Sequence, residues 1–92
     1  MKNNSFDNSL NNQRLTILSF LKKYHSMTTF EARTKLGIMH PSGRVFELRR
    51  QGYNIITEWI VEHDMLNKPH RVARYILLPG KYKSIGRAGY VI

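Results

Sequence analysis

The sequence predicts an α+β fold, three helices followed by a two-stranded β-hairpin, on three observations. An apolar stripe of helical period lies between residues 15 and 21. Residues 28–52, TTFEARTKLGIMHPSGRVFELRRQG, carry helix start and stop signals twice over. After Gly52 the apolar period changes from helical to alternating. Ninety-two residues leave room for one core and no second domain, since a chain of this size buries only about 60–65 % of its extended surface.

Residues 1–11 are Asn-rich and nearly uncharged, with Phe6 and Leu10 as their large apolar groups, and are expected to form a flexible arm. Asn11 or Asn12 is the expected cap of the first helix. In that helix Leu15, Leu18 and Leu21, flanked by Ile17 and Phe20, make a wide buried stripe. Lys22, Lys23 and His25 fall in its last turn, where cations complement the helix dipole or meet a phosphate.

The second helix opens at Thr28 or Thr29. Thr28 can cap it while Glu31, three residues on, reaches back to the Thr28 amide, which is a capping box. Ala32 is small where another helix must approach, and Gly37 follows the last apolar position, where a left-handed residue ends a helix at little cost. The turn is therefore expected at Gly37 to Met39. Pro41 suits the first turn of the third helix, having no amide to leave unpaired, with Met39 or His40 as the boundary residue. Val45, Leu48 and Gly52 then recur at one-turn spacing as a buried stripe and a stop.

This leaves His40, Ser42, Gly43, Arg44, Glu47, Arg50 and Gln51 on the outer face, with Phe46 and Arg49 on its flank. Two short helices joined by a Gly-containing turn, the second basic, form the pattern of a helix-turn-helix. In that motif the start of the second helix enters the major groove of DNA and later residues meet phosphates. Gly43 costs the helix roughly 1 kcal/mol relative to Ala, which marks Ser42 and Gly43 as the expected point of closest approach. Arg44 can contact guanine with both arms or grip a phosphate.

Beyond Gly52, Ile55, Thr57, Trp59 and Val61 alternate with Ile56, Glu58, Ile60 and Glu62. In a second run, Arg71 to Leu78, Ala73, Tyr75 and Leu77 alternate with Val72, Arg74, Ile76 and Leu78. The segment between, Asp64 to His70, holds the turn formers Asn67, Lys68 and Pro69. The side with Trp59, Tyr75 and Leu77 is expected to pack on the helices. Ile56, Ile60, Val72 and Ile76 on the other side need a cover, either a subunit partner or the tail from Gly80 to Ile92. In that tail Lys81, Lys83 and Arg87 alternate with Gly and apolar residues.

The run Thr28, Glu31, Ala32, Leu36, Gly37, Ile38, then Arg44, Val45, Glu47, Leu48, Arg49, Gly52, Ile55, then Tyr75 and Leu77, resembles the small winged helix-turn-helix domains common in bacteriophages and prophages, over residues 13–79. The resemblance implies a DNA-binding domain over residues 12–79 whose hairpin is a wing, with Lys68, His70 and Arg71 at a neighbouring minor groove or its phosphates. The expected DNA-contacting set is Thr28, Thr29, His40, Ser42, Gly43, Arg44, Glu47, Arg50, Lys68, His70 and Arg71.

The net charge of +9 favours a polyanionic partner, and its distribution sharpens the point. Residues 13–53 hold eight Lys or Arg against Glu31 and Glu47, and residues 65–92 hold six basic residues and no acid. Residues 54–64 hold Glu58, Glu62 and Asp64. Zero cysteines exclude disulfides and cysteine metal sites and fit a reducing compartment. Residues 1–13 lack the apolar core of a signal peptide, and no apolar run approaches the roughly 20 residues a membrane helix needs. The expectation is a cytoplasmic protein of a bacterial cell or a phage-infected host, with no membrane or small-molecule partner.

Glu62, His63, Asp64 and His70 lie close in sequence, but neighbours on a strand point to opposite faces and the set lacks a ligand spacing. With no phosphate loop, nucleophile motif or paired carboxylates, no catalytic residue, metal or cofactor is expected. The leading functional expectation is a phage or mobile-element repressor that occupies operator DNA as a homodimer. Two-fold symmetry would supply the second half-site that a short recognition helix requires. The alternatives are an excisionase-like architectural factor that bends DNA, and a winged protein that inhibits a host nucleic-acid enzyme by direct contact.

Overall fold

The computed structural model describes residues 9–83. Its elements in chain order are helix α1 (Leu10–Tyr24), strand β1 (Ser26–Thr28), helices α2 (Thr29–Lys35) and α3 (Pro41–Arg50), and strands β2 (Tyr53–His63) and β3 (Pro69–Lys81). The three helices and the α+β class match the sequence reading, but the sheet has three antiparallel strands, ordered β1-β3-β2, rather than two. The expected arm as far as residue 8 and the tail beyond Lys83 lie outside the described residues, while Gly80 and Lys81 belong to β3.

The first helix begins earlier than expected. Ser9, rather than Asn11 or Asn12, is the cap, its hydroxyl accepting from the Asn12 amide at 3.1 Å. Ile17, Leu18 and Leu21 are buried, but Leu15 is 54 % exposed. The inward stripe runs instead through Arg14, three and four residues before Ile17 and Leu18, and Arg14 reaches across to α3. His25 ends the helix in the left-handed region (φ 71°), its amide bonded to the Leu21 carbonyl at 2.8 Å.

That reversal delivers Ser26–Thr28 to the free edge of β3, where Ser26 pairs with Ile76, Met27 with Tyr75 and Thr28 with Arg74. The amide of Leu77 adds a bond to the His25 carbonyl at 3.0 Å. Met27 is fully buried there, so three residues with no readable period become a strand through tertiary pairing. Ile17, Leu21, Met27, Ala32, Ile38, Val45, Leu48, Ile55, Ala73 and Tyr75 form one core between the helices and the inner face of the sheet.

The hairpin is longer than its sequence signals, with pairing from Tyr53↔Lys81 to His63↔Pro69 and an irregularity between Tyr53 and Ile55. Its faces divide as the alternation predicts, Ile55, Ala73 and Tyr75 pointing into the core. Trp59 corrects one expectation. It shares that face but is 56 % exposed, because it lines an open cleft between the strands and the starts of α2 and α3 rather than the packed core. On the outer face Ile56 is exposed and Ile60, Val72 and Ile76 are half-buried.

Candidate nucleic-acid interface

The helix-turn-helix is fastened at each joint. Thr28 Oγ1 accepts from the Glu31 amide at 3.0 Å while Glu31 Oε1 accepts from the Thr28 amide at 2.9 Å, so both halves of the capping box form. Gly37 takes φ +69°, and the Ile38 amide returns to the Ala32 carbonyl at 3.0 Å, which drives the Ile38 side chain into the core. Arg33 Nε donates to the Met39 carbonyl at 2.9 Å and closes the turn on α2. His40 is the N-cap of α3 but makes no side-chain cap bond, and Pro41 opens the helix as a buried residue.

With Pro41, Val45 and Leu48 facing inward, α3 turns Ser42, Phe46 and Arg50 outward, and Gly43 lies half-buried among them. The Arg50 guanidinium lies 5.8 Å from the centre of the Phe46 ring. A methyl group at Gly43 would meet nothing within 4 Å, so packing within the chain does not require a glycine there. His40, Ser42 and Arg50 are exposed and form the open part of the predicted set on this helix.

Arg44 and Glu47, predicted on the same face, are committed to each other. Arg44 Nε and Nη2 donate to the two Glu47 oxygens at 2.8 and 2.9 Å, and Arg14 Nη1 of α1 donates to Glu47 Oε1 at 2.7 Å. The Arg44 and then the Arg14 hydrogen bonds hold the Glu47 carboxyl below its ordinary range. Arg49 turns the opposite way, donating to the Ile55 carbonyl and to Thr57 Oγ1 and lying 5.1 Å from the Tyr82 ring centre. It straps α3 to β2.

Thr28 is 8 % exposed and its hydroxyl is taken by the cap. The Thr29 hydroxyl donates to the Ala73 carbonyl at 3.4 Å. Thr29 also lines a cleft with Arg33, Pro41, Ser42, Trp59, Arg71, Ala73 and Tyr75. This cleft brings the first turn of α3 beside the root of the wing, where Arg71 lies 4.7 Å from the Trp59 ring centre.

The wing tip, residues 64–68, is organised by Asp64. Its Oδ1 accepts from the Leu66 and Lys68 amides at 2.9 and 3.0 Å, and its Oδ2 pairs with His70 Nε2 at 2.7 Å. Asn67 takes φ +62° and its amide returns to the Asp64 carbonyl at 2.8 Å. The His70 bond first, and the Lys68 amide next, hold the Asp64 carboxyl below its ordinary range. His70 is thus occupied by the turn, while Lys68 is exposed. Met65 and Leu66 stand out at 102 % and 77 % exposure.

Sequence reasoning gave no site role to Arg14, Arg33, Met65 and Leu66, and placed Trp59 on the face that packs on the helices. The Arg44–Glu47 spacing of three residues on one helix signals a pair, and two large apolar residues inside a turn signal a presented tip. Arg14, 33 residues before Glu47, gave no local sign. Among the described residues no group of three His, Cys, Asp or Glu could hold a metal ion, and no helix is long and apolar enough to cross a membrane.

Three short helices, a fastened turn and a wing rooted beside the entry of the third helix define a winged helix-turn-helix. The winged helix-turn-helix domain family model matches residues 12–79, and the chain belongs to that family. Membership supports DNA as its partner. No curated protein and no solved structure matches the chain.

Proposed function

We propose that the protein is a sequence-specific regulator of transcription encoded by a phage or mobile element, a repressor that acts in the cytoplasm by occupying operator DNA as a homodimer, without enzymatic activity. The observation that carries this reading is the outward face of α3. His40, Ser42 and Arg50 are exposed around Gly43, whose missing side chain serves no packing need within the chain, and α3 starts beside the wing root. A backbone that approaches the groove closely and polar groups at the helix entry suit base readout. Lys68 and Arg71 on the wing suit phosphates.

Dimerisation draws support from the outer sheet face. Ile56 opposite Ile76 and Ile60 opposite Val72 form two apolar pairs on either side of the Glu58–Arg74 ion pair, Ile56 being 39 % exposed, and β2 has no neighbour on its other edge among the described residues. A two-fold axis through this face would pair two recognition helices. Selection of bound duplexes from a random pool at near-physiological salt tests the whole reading. A palindrome is the expected product, its half-site spacing reporting the dimer geometry, and an unenriched pool would remove the repressor.

A further inference from the structure

The tip of the wing carries two neighbouring large apolar side chains, Met65 and Leu66, that touch almost nothing of the protein. A loop free to move would fold such groups back or tolerate polar ones. This loop is held in place instead. Asp64 accepts two backbone amides with one oxygen and His70 with the other, and the Asp64 and Lys68 backbones close on each other at 3.0 Å. The turn spends its polar groups on its own geometry and points its apolar groups outward.

Resting on the DNA-binding reading above, we propose that Met65 and Leu66 form a wedge that enters the minor groove and unstacks a base step, kinking the duplex. Apolar side chains inserted between base steps in the minor groove kink DNA by roughly 20–90°. The charge around the tip suits that occupant. Lys68 is exposed in the tip itself, where a phosphate of a narrow groove would lie, Arg71 stands further back over Trp59, and the Asp64 carboxylate is turned into its own loop rather than toward the ligand.

The reach suits it too. From Trp59, beside the first turn of α3, the strand continues for about five residues to the tip, which is roughly 17 Å at strand rise. That is about half of the ~34 Å helical turn of B-DNA, the offset from a major groove to the next minor groove. A tip at that distance is far enough out to meet a minor groove when α3 occupies the major one.

The test uses the full chain and the duplex obtained by selection, with 2-aminopurine placed at successive steps flanking the α3 half-site and fluorophores at the duplex ends. The wild type is expected to raise 2-aminopurine fluorescence several-fold at one or two adjacent steps and to shorten the end-to-end distance. The double variant M65S/L66S loses both signals while its affinity falls by less than about tenfold, since the contacts of α3 persist. Both side chains are exposed, so the variant keeps its fold, which a matched thermal melt checks. Lys68→Ala weakens binding and lowers the salt slope by about 1 but keeps the fluorescence signal at the same step. A wild type that binds without unstacking, or a double variant that unstacks as well as the wild type, overturns the wedge and leaves the repressor reading standing. A chain that binds no duplex at all overturns both.

Discussion

Arg14 of α1 and Glu47 of α3 are joined by a 2.7 Å ion pair that ties the first helix to the recognition helix across 33 residues of sequence. Arg44 completes the arrangement from the other side, so one carboxylate holds two guanidinium groups. The cluster fixes how α3 sits on the core, and it commits Arg44 and Glu47 to each other and to Arg14. In the proposed reading, the residues that face DNA and those that position α3 therefore fall at different places on the same ten-residue helix.

The Glu47 cluster has a pH signature. Its carboxyl lies below the ordinary value of 4.5 in the folded protein because Arg44 and Arg14 bond to the charged form. The unfolded chain therefore takes up a proton at a higher pH than the folded one. The cluster's contribution to stability is complete above 4.5 and is lost as pH falls through the lower folded value. Melting temperature should drop on acidification below about pH 4.5, and E47Q should flatten that part of the curve. Asp64 adds a second depressed carboxyl, with an ordinary value of 3.8, so the variant D64N separates the two contributions. Thermal melts between pH 2 and pH 6 measure both, and an E47Q profile parallel to the wild type would dismiss the cluster as a source of stability.

Gly43→Ala should act in opposite directions on folding and on binding. The added methyl group meets open space, so the helix gains about 1 kcal/mol of propensity, equivalent to roughly 4–8 °C in a domain of this size. The same methyl group would stand between α3 and the groove floor, and affinity for the selected duplex should fall by about tenfold, or about 1.4 kcal/mol. Melting and fluorescence anisotropy read the two effects separately. Unchanged affinity would move the point of closest approach away from Gly43.

Much of this arrangement was legible before the structure. Thr28, Glu31, Gly37, Pro41 and Gly52 each have a conformational preference strong enough to place a helix end unaided, and the switch to alternating residues announced the wing. β1 was not legible, because Ser26–Thr28 is a strand only by virtue of its pairing with Ile76, Tyr75 and Arg74. Nor was the exposure of Trp59, since alternation assigns a residue to a face and says nothing about how closely the helices pack on that face. The commitment of Arg44 followed the same pattern. Its spacing to Glu47 is local, but the second cation arrives from α1 through tertiary packing.

Arg49 should prove structural although it sits on a basic helix. Its bonds to the Ile55 carbonyl and Thr57 hydroxyl join α3 to the strand whose Ile55 is fully buried. Hydrogen bonds from charged donors contribute roughly 1.5–3 kcal/mol each at most, and partial exposure reduces this. Arg49→Met should cost about 1–2 kcal/mol by denaturant unfolding. Arg49→Lys should recover only part of it, because a single ammonium cannot reproduce the two-armed contact. Arg50→Ala makes the contrast. Arg50 is exposed and lies over the Phe46 ring, so stability should hold while the slope of log affinity against log salt falls by about 0.9.

The outer face of the sheet offers the sharpest test of the homodimer. Ile60 pairs with Val72 across the strands, with Ile56 opposite Ile76 further along and the Glu58–Arg74 ion pair between them. Neither Ile60 nor Val72 belongs to the core, so Ile60→Glu should leave the melting temperature close to that of the wild type. If two copies meet on this face, the substitution sets like charges against each other across the two-fold axis, and each is costly to desolvate. Sedimentation should then show the wild type as a dimer and the variant as a folded monomer. The variant should lose cooperative binding to a palindrome while keeping weak binding to a half-site. A variant that sediments with the wild type would move the dimer contact elsewhere.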